Sequence, residues 1–193
     1  MELVIQEEEK GWLSLSVDGD FYRKVAAPLF RKKITRKSFS STEEFVDWFE
    51  VIERKAAKEA GYRLLAMRDY PSEVLDEKLR QKGISQRIVS MTIEELEKGG
   101  FINNEAWMAR FIEREFRKGV GPRGILAKLW GKKIDKEAAS SLVQSMITFD
   151  DQVEKIESLF QTKYIRTPKE KAISSLERKG FDLSAILQVA KSF

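Results

Sequence analysis

The sequence predicts a mainly α protein made of three tandem three-helix repeats, with a small β-hairpin extension at its start. Three observations predict it. First, one helical phrase is written three times, over Pro71–Ile84, Gly121–Ile134 and Pro168–Phe181. In each copy an apolar residue is followed four positions later by Leu, four later by Gly or Lys, and then by an apolar residue. Leu75, Ile125 and Ala172 align, as do Leu79, Leu129 and Leu176, at spacings of 50 and 47 residues. A period of that size belongs to an array of small helical units. Second, from Ser41 onward apolar residues recur every three or four positions between cap, Gly and Pro signals. Third, strict alternation is confined to the first 17 residues, most clearly in Trp12-Leu-Ser-Leu-Ser-Val17.

The elements follow in order. Glu2–Gln6 and Trp12–Val17 read as two strands, joined through Glu7-Glu8-Glu9-Lys10-Gly11 as a polar hairpin turn. Asp18-Gly19-Asp20 is a turn signal that ends the second strand, and a short irregular or helical segment follows. An isolated hairpin is marginal in water, so it must pack on helices or gain a further strand. Residues 1–40 are therefore assigned to a hairpin extension and 41–59 to a connecting helix. That helix is capped by Ser41 or Thr42, with Glu44 placed for a capping box. Phe45, Trp48, Phe49 and Ile52 form its apolar stripe.

The first repeat spans 60–100. It comprises a helix over Tyr62–Asp69, one that starts at Pro71 and ends near Gly83, and one from Ser85 to Lys98. The second spans 101–148. It opens at Asn103 or Asn104, breaks at Gly119-Val-Gly121-Pro122, runs on to Lys132, and restarts at Asp135. The third spans 149–193, beginning near Asp150 or Asp151, resuming after Thr167-Pro168 and ending with Leu183–Lys191.

Composition narrows the chemistry. The chain has neither His nor Cys, which excludes imidazole acid–base work, thiolate catalysis, disulfides and the usual zinc ligand sets. No phosphate-binding glycine motif occurs. No catalytic, cofactor or metal residue is assigned, and no cofactor is expected. Paired acids such as Asp150-Asp151 read as helix caps. No run approaches a membrane span, the start has no signal-peptide pattern, and the lack of Cys fits a cytoplasmic protein.

Charge is unevenly spread. Residues 110–133 carry Arg110, Arg114, Arg117, Lys118, Arg123, Lys128, Lys132 and Lys133 against only Glu113 and Glu115. These eight cations are the candidate partner-binding residues, and fields of this kind favour polyanionic or acidic partners. Arg110, Arg114, Arg117 and Lys118 step by three or four and share one helix face. The plainer reading is a solvated face with Glu113 and Glu115 as local pairs. A second block, Arg23–Lys37, has seven basic residues and no acidic one. A DNA-binding arm is one reading of it; the interspersed Phe21, Tyr22, Leu29, Phe30 and Ile34 favour a packed segment. Trp107 is expected in the core and Trp130 partly exposed.

Several segments together resemble the RecX family, the regulators of the recombinase RecA. They are Leu65–Gly83, Phe101–Ile112, Lys118-Gly-Val-Gly-Pro122-Arg-Gly-Ile125-Leu-Ala-Lys-Leu129, and Leu176-Glu-Arg-Lys-Gly-Phe181. The third of these looks like the family's Gly-aromatic-Gly-Pro motif, with Val120 at the aromatic position. Lys133 stands in place of the glycine ending the second repeat's middle helix, and Trp130 adds bulk beside it. The resemblance covers roughly 60–193. It implies an elongated, curved body that lies in the groove of the RecA–DNA filament, bridges protomers and inhibits ATP hydrolysis and strand exchange without chemistry of its own. The partner it implies is the RecA filament. Beside that resemblance, weak binding of single- or double-stranded DNA is compatible with the same role, and a monomer is the expected state. The alternative is a stand-alone helical nucleic-acid-binding module, against which counts the lack of a base-reading recognition helix.

Overall fold

The computed structural model describes residues 1–193 and divides into two compact units, 1–103 and 104–193.

Unit 1 begins with a sheet in the order β1 (Leu3–Glu8), β2 (Trp12–Val17), β3 (Asp20–Ala26), antiparallel throughout. The third strand corrects the sequence expectation of a hairpin followed by an irregular or helical segment. Its cause is local. Asp18 and Gly19 both take positive φ, 50° and 91°, between the paired Val17 and Asp20. A two-residue Asp-Gly loop of this kind matches the right-handed twist of flanking strands and closes a second hairpin. Leu3, Leu13, Leu15 and Val25 face inward and are buried. A β-bulge opposite Leu15 and Ser16 leaves Tyr22 without a partner in the ladder. Tyr22 therefore packs edge-on against Phe45 and Phe49, while Arg23 reaches the adjoining helix.

After a short α1 (Ala27–Phe30), α2 runs unbroken from Thr42 to Met67. The sequence divides this stretch into a helix over 41–59 and another over 62–69, and the structure joins them. Gly61 does not end the helix. A Cβ there would come 3.0 Å from Leu96 Cδ1, so the residue is a close-packing point within a continuous helix. The cap is Ser41, whose Oγ accepts from the Glu44 amide at 3.2 Å, while Glu44 accepts from the Ser40 amide at 2.8 Å. Phe45, Phe49 and Ile52 of the expected stripe are buried, together with Phe30 and Phe39.

The stripe also carries a charge. Glu53 is 4% exposed. It accepts from Arg23 Nη1 at 2.6 Å, from the Ser85 amide at 2.5 Å and from Ser85 Oγ at 2.9 Å. Ser85, expected as an ordinary cap, thus turns its hydroxyl to Glu53. The unit closes with α3 (Ser72–Arg80) and α4 (Gln86–Lys98). The block Arg23–Lys37 is no free basic arm. Arg23, Lys24, Arg31, Lys33 and Lys37 pair with Glu53, Glu8, Glu7, Glu59 and Glu44. Leu29, Phe30 and Ile34 are buried among them.

Unit 2 contains α5 (Asn104–Arg117), α6 (Pro122–Trp130) and α7 (Lys136–Met146), then α8 (Phe149–Thr162), α9 (Lys169–Arg178) and α10 (Leu183–Ala190). Asp135 caps α7 as expected, accepting from the Ala138 amide at 2.8 Å. The α8 cap is Thr148 rather than Asp150 or Asp151. Asp151 instead completes a capping box by accepting from the Thr148 amide. Each helix triplet has its own buried cluster, and Phe116 packs against both.

The aligned positions of α3, α6 and α9 are buried alike. Leu75, Leu79, Ile125, Leu129, Ala172 and Leu176 are all fully enclosed. The turn after each middle helix is left-handed, with φ of 82° at Gly83, 63° at Lys133 and 87° at Gly180. Lys133 keeps the family-like turn without the glycine, in a region that costs an L side chain about 1 kcal/mol. Gly180 has a second constraint, since a Cβ there would lie 2.1 Å from the Gly124 amide nitrogen.

Candidate partner-binding surface

Seven of the eight candidate cations sit on α5, on α6 and in the turn after α6, and Lys118 directly follows α5. All eight are exposed. Their exposure has a simple origin. Met108, Phe111, Ile112 and Glu115 point into the unit from α5, and Ile125 and Leu129 from α6. Arg110, Arg114, Arg117, Arg123 and Lys128 leave those two helices on their exposed sides, and Lys118, Lys132 and Lys133 lie in the turns that follow them.

The structure brings three of the eight together around one carboxylate. Glu115 is 5% exposed and lies at the centre. Lys128 Nζ donates to Glu115 Oε2 at 2.6 Å. Lys118 Nζ donates to Oε1 at 3.0 Å, and Arg114 Nε lies 3.4 Å from the same atom. The Lys128 hydrogen bond is the largest influence on this carboxyl. With help from Lys118 and Arg114 it outweighs burial and holds the Glu115 pKa down to about 2. A fourth cation stands beside this cluster. The Arg114 guanidinium lies 5.0 Å and Lys132 Nζ 5.9 Å from the Phe111 ring centroid. One anion thus offsets part of the charge of three cations and joins α5 to α6.

Arg123 has a different place. Its Nη2 donates to the Phe181 carbonyl at 2.6 Å, and its Nε stands 4.0 Å from Asp182 Oδ1. Two backbone bonds run beside it, from the Gly121 amide to the Lys179 carbonyl at 2.9 Å and from the Arg123 amide to the Gly180 carbonyl at 3.0 Å. These satisfy donors that the start of α6 leaves without intrahelical partners. Gly121 and Gly124 let the two backbones meet, since a Cβ on either would lie 2.3 Å from the α9–α10 turn. Arg123 is therefore a clamp within unit 2. Arg110 and Arg117 sit on α5 and Lys133 takes the left-handed turn after α6, and the Arg117 carbonyl accepts from Lys155 Nζ at 2.9 Å.

Sequence reasoning takes Glu115 as a local surface pair and misses its burial. The signal is present, because Met108, Ile112 and Glu115 lie on one stripe of α5, where a carboxylate requires cations to be tolerated. Trp130 is 41% exposed, and Trp107 stacks on Phe111 with ring centroids 5.2 Å apart. No grouping of acids suited to a metal ion occurs, and no helix is long and apolar enough to cross a membrane.

No protein-family model matches the chain. Among curated proteins it is similar to the regulatory protein RecX of Caldanaerobacter subterraneus subsp. tengcongensis, 22% identical over 161 residues, covering 83% of this chain and 82% of that one. It is also similar to the regulatory protein RecX of Streptococcus agalactiae serotype Ia, 29% identical over 131 residues, covering 65% of this chain and 50% of the relative. Among solved structures, a regulatory protein RecX superposes with a TM-score of 0.67 at 17% identity over 98% of both chains. RecX from Lactobacillus salivarius superposes at 0.66 and 22% identity, over 72% of this chain and 96% of that one. At these identities the superpositions establish the shared fold.

Proposed function

We propose that the chain is a member of the RecX family, whose proteins it is similar to over most of its length, and that it is a non-enzymatic regulator of RecA, acting as an inhibitor. In this reading it lies in the groove of the RecA–DNA filament and modulates ATP hydrolysis and strand exchange. The observation that carries the reading is the repeated middle helix, in which Leu79, Leu129 and Leu176 are buried alike and each helix ends in a left-handed turn. A helical polymer presents the same contact at every protomer. An array of like units can engage several of these at once, and its avidity then exceeds that of any single contact.

The cations divide by role. Arg123 acts within the fold. Arg114, Lys118 and Lys128 keep their heads at the surface while bound to Glu115, so they present a fixed positive cluster. Arg110, Arg117, Lys132 and Lys133 complete the surface that meets acidic groups of the filament. Such contacts act chiefly through encounter rate and orientation.

Co-sedimentation of the full chain with RecA filaments on single-stranded DNA tests this. The paired substitution Arg117→Glu and Lys132→Glu reverses two surface charges without touching Glu115 or Arg123. About tenfold weaker co-sedimentation, with an unchanged unfolding midpoint, is the expected result. Equal binding by this variant would move the contact off α5 and α6. Equal DNA binding with and without RecA would favour the nucleic-acid module instead.

A further inference from the structure

A pair of lysines in unit 2 lies outside the eight candidate cations. Lys163 is the C-cap of α8 and Lys179 the C-cap of α9. Both side chains converge on one ring. The Lys163 and Lys179 Nζ atoms lie 5.9 Å and 5.8 Å from the Tyr164 centroid. Tyr164 is 7% exposed, and its hydroxyl stands 2.9 Å from Ser175 Oγ. Ser175 comes one helical turn before Lys179, so the ring is held against the face of α9 from which Lys179 leaves. Backbone bonds fix the base of the Lys179 side chain. Its amide donates to the Ser175 and Leu176 carbonyls at 3.1 Å, and its carbonyl accepts from the Gly121 amide at 2.9 Å.

The two amines also meet, with Lys163 in hydrogen-bonding reach of the Lys179 amine. An ammonium group has three donors and no acceptor. Two of them repel, and a hydrogen bond joins them only when one gives up its proton. Lys179 is the one placed to do so, because it is half-buried while Lys163 is exposed. Burial first, and then the Lys163 amine, lower the Lys179 pKa; Tyr164 opposes them and is outweighed. Lys98 shows the opposite case, since its bond to Glu94 raises its pKa. A lysine desolvated beside a second cation supplies a free, nucleophilic amine near neutral pH. The remaining ammonium has a use of its own, as it attracts an anionic leaving group on the carbonyl under attack.

We propose that Lys179 is a site of selective N-acylation by acyl phosphates, with Lys163 holding the phosphate. The Lys179 nitrogen bonds to the acyl carbon, and the bond from that carbon to the phosphate oxygen breaks. Inorganic phosphate leaves with the electron pair and takes up the proton that the nitrogen releases. A neutral amide then replaces one of two facing cations. The proposal does not depend on the filament reading, and its test needs no recombinase.

The test is incubation of the full chain with acetyl phosphate near neutral pH, followed by digestion and mass spectrometry to give a rate at each lysine. Lys191 is the internal reference, being an exposed C-cap lysine on α10. Lys179 reacts about fivefold faster than Lys191, the factor that one like charge at contact distance carries in water. Lys163→Ala slows Lys179 about fivefold and leaves Lys191 unchanged. Accessibility alone predicts the reverse, because removing the Lys163 side chain uncovers Lys179. Lys163→Arg keeps a cation at this place and retains the faster rate. A Lys179 no faster than Lys191 overturns the proposal. So does a rate in Lys163→Ala at or above that of the wild type, or one in Lys163→Arg as slow as in Lys163→Ala.

Discussion

Lys128 Nζ donates to Glu115 Oε2 at 2.6 Å, and through this bond a helix bearing surface cations is tied to a carboxylate inside the unit. The same bond gives the protein a pH dependence. The folded pKa of Glu115, about 2, lies below its ordinary value of 4.5. Its contribution is therefore complete above pH 4.5 and is lost as pH falls through 2, with a ceiling of about 3 kcal/mol. Glu115→Gln should lower stability at pH 7 by about 1–3 kcal/mol. Urea unfolding of both proteins at pH 7 and near pH 2 checks this, because the difference between them should shrink at the lower pH.

The left-handed turns give a paired prediction. Gly180→Ala adds a side chain at φ 87° and brings it against the Gly124 backbone, so it should cost about 2 kcal/mol or more. Lys133→Gly removes a strained residue from the equivalent turn and should stabilise by about 0.5–1 kcal/mol. Thermal unfolding of the two variants should give shifts of opposite sign.

In unit 1, Arg23 and Glu53 form a pair whose carboxylate is almost wholly enclosed. A double-mutant cycle with Arg23→Met and Glu53→Gln should report coupling of about 1–2 kcal/mol, well above that of an exposed pair. The exposed pair Lys98–Glu94, at 73% and 64% side-chain exposure, should couple far more weakly in the same measurement.

The helical repeats were legible because their signal is local. Leu75 to Leu79, Ile125 to Leu129 and Ala172 to Leu176 repeat a spacing that one helix face imposes, and Asp135 and Ser41 announce their helices by cap chemistry. The third strand was less legible, since Asp20–Ala26 places Tyr22 and Arg23 toward the same helix through a bulge and so breaks strict alternation. The unbroken course of α2 through Gly61 was hidden because only the approach of Leu96 explains a glycine there. The candidate site was legible as composition but not as arrangement. That Arg123 reaches Phe181 depends on α9 and α10, with the two residues 58 positions apart, and the sequence carries no local mark of it. Glu115 and Glu53 left a mark in the form of a charge on an apolar stripe.

The central claim is that the chain regulates RecA, and ATP hydrolysis by RecA on single-stranded DNA tests it most directly. The full chain is titrated from far below one molecule per RecA upward. A fall in hydrolysis at substoichiometric ratios is the predicted result, because in the proposed reading one array engages several protomers. Hydrolysis unchanged at an excess of the chain would contradict the account.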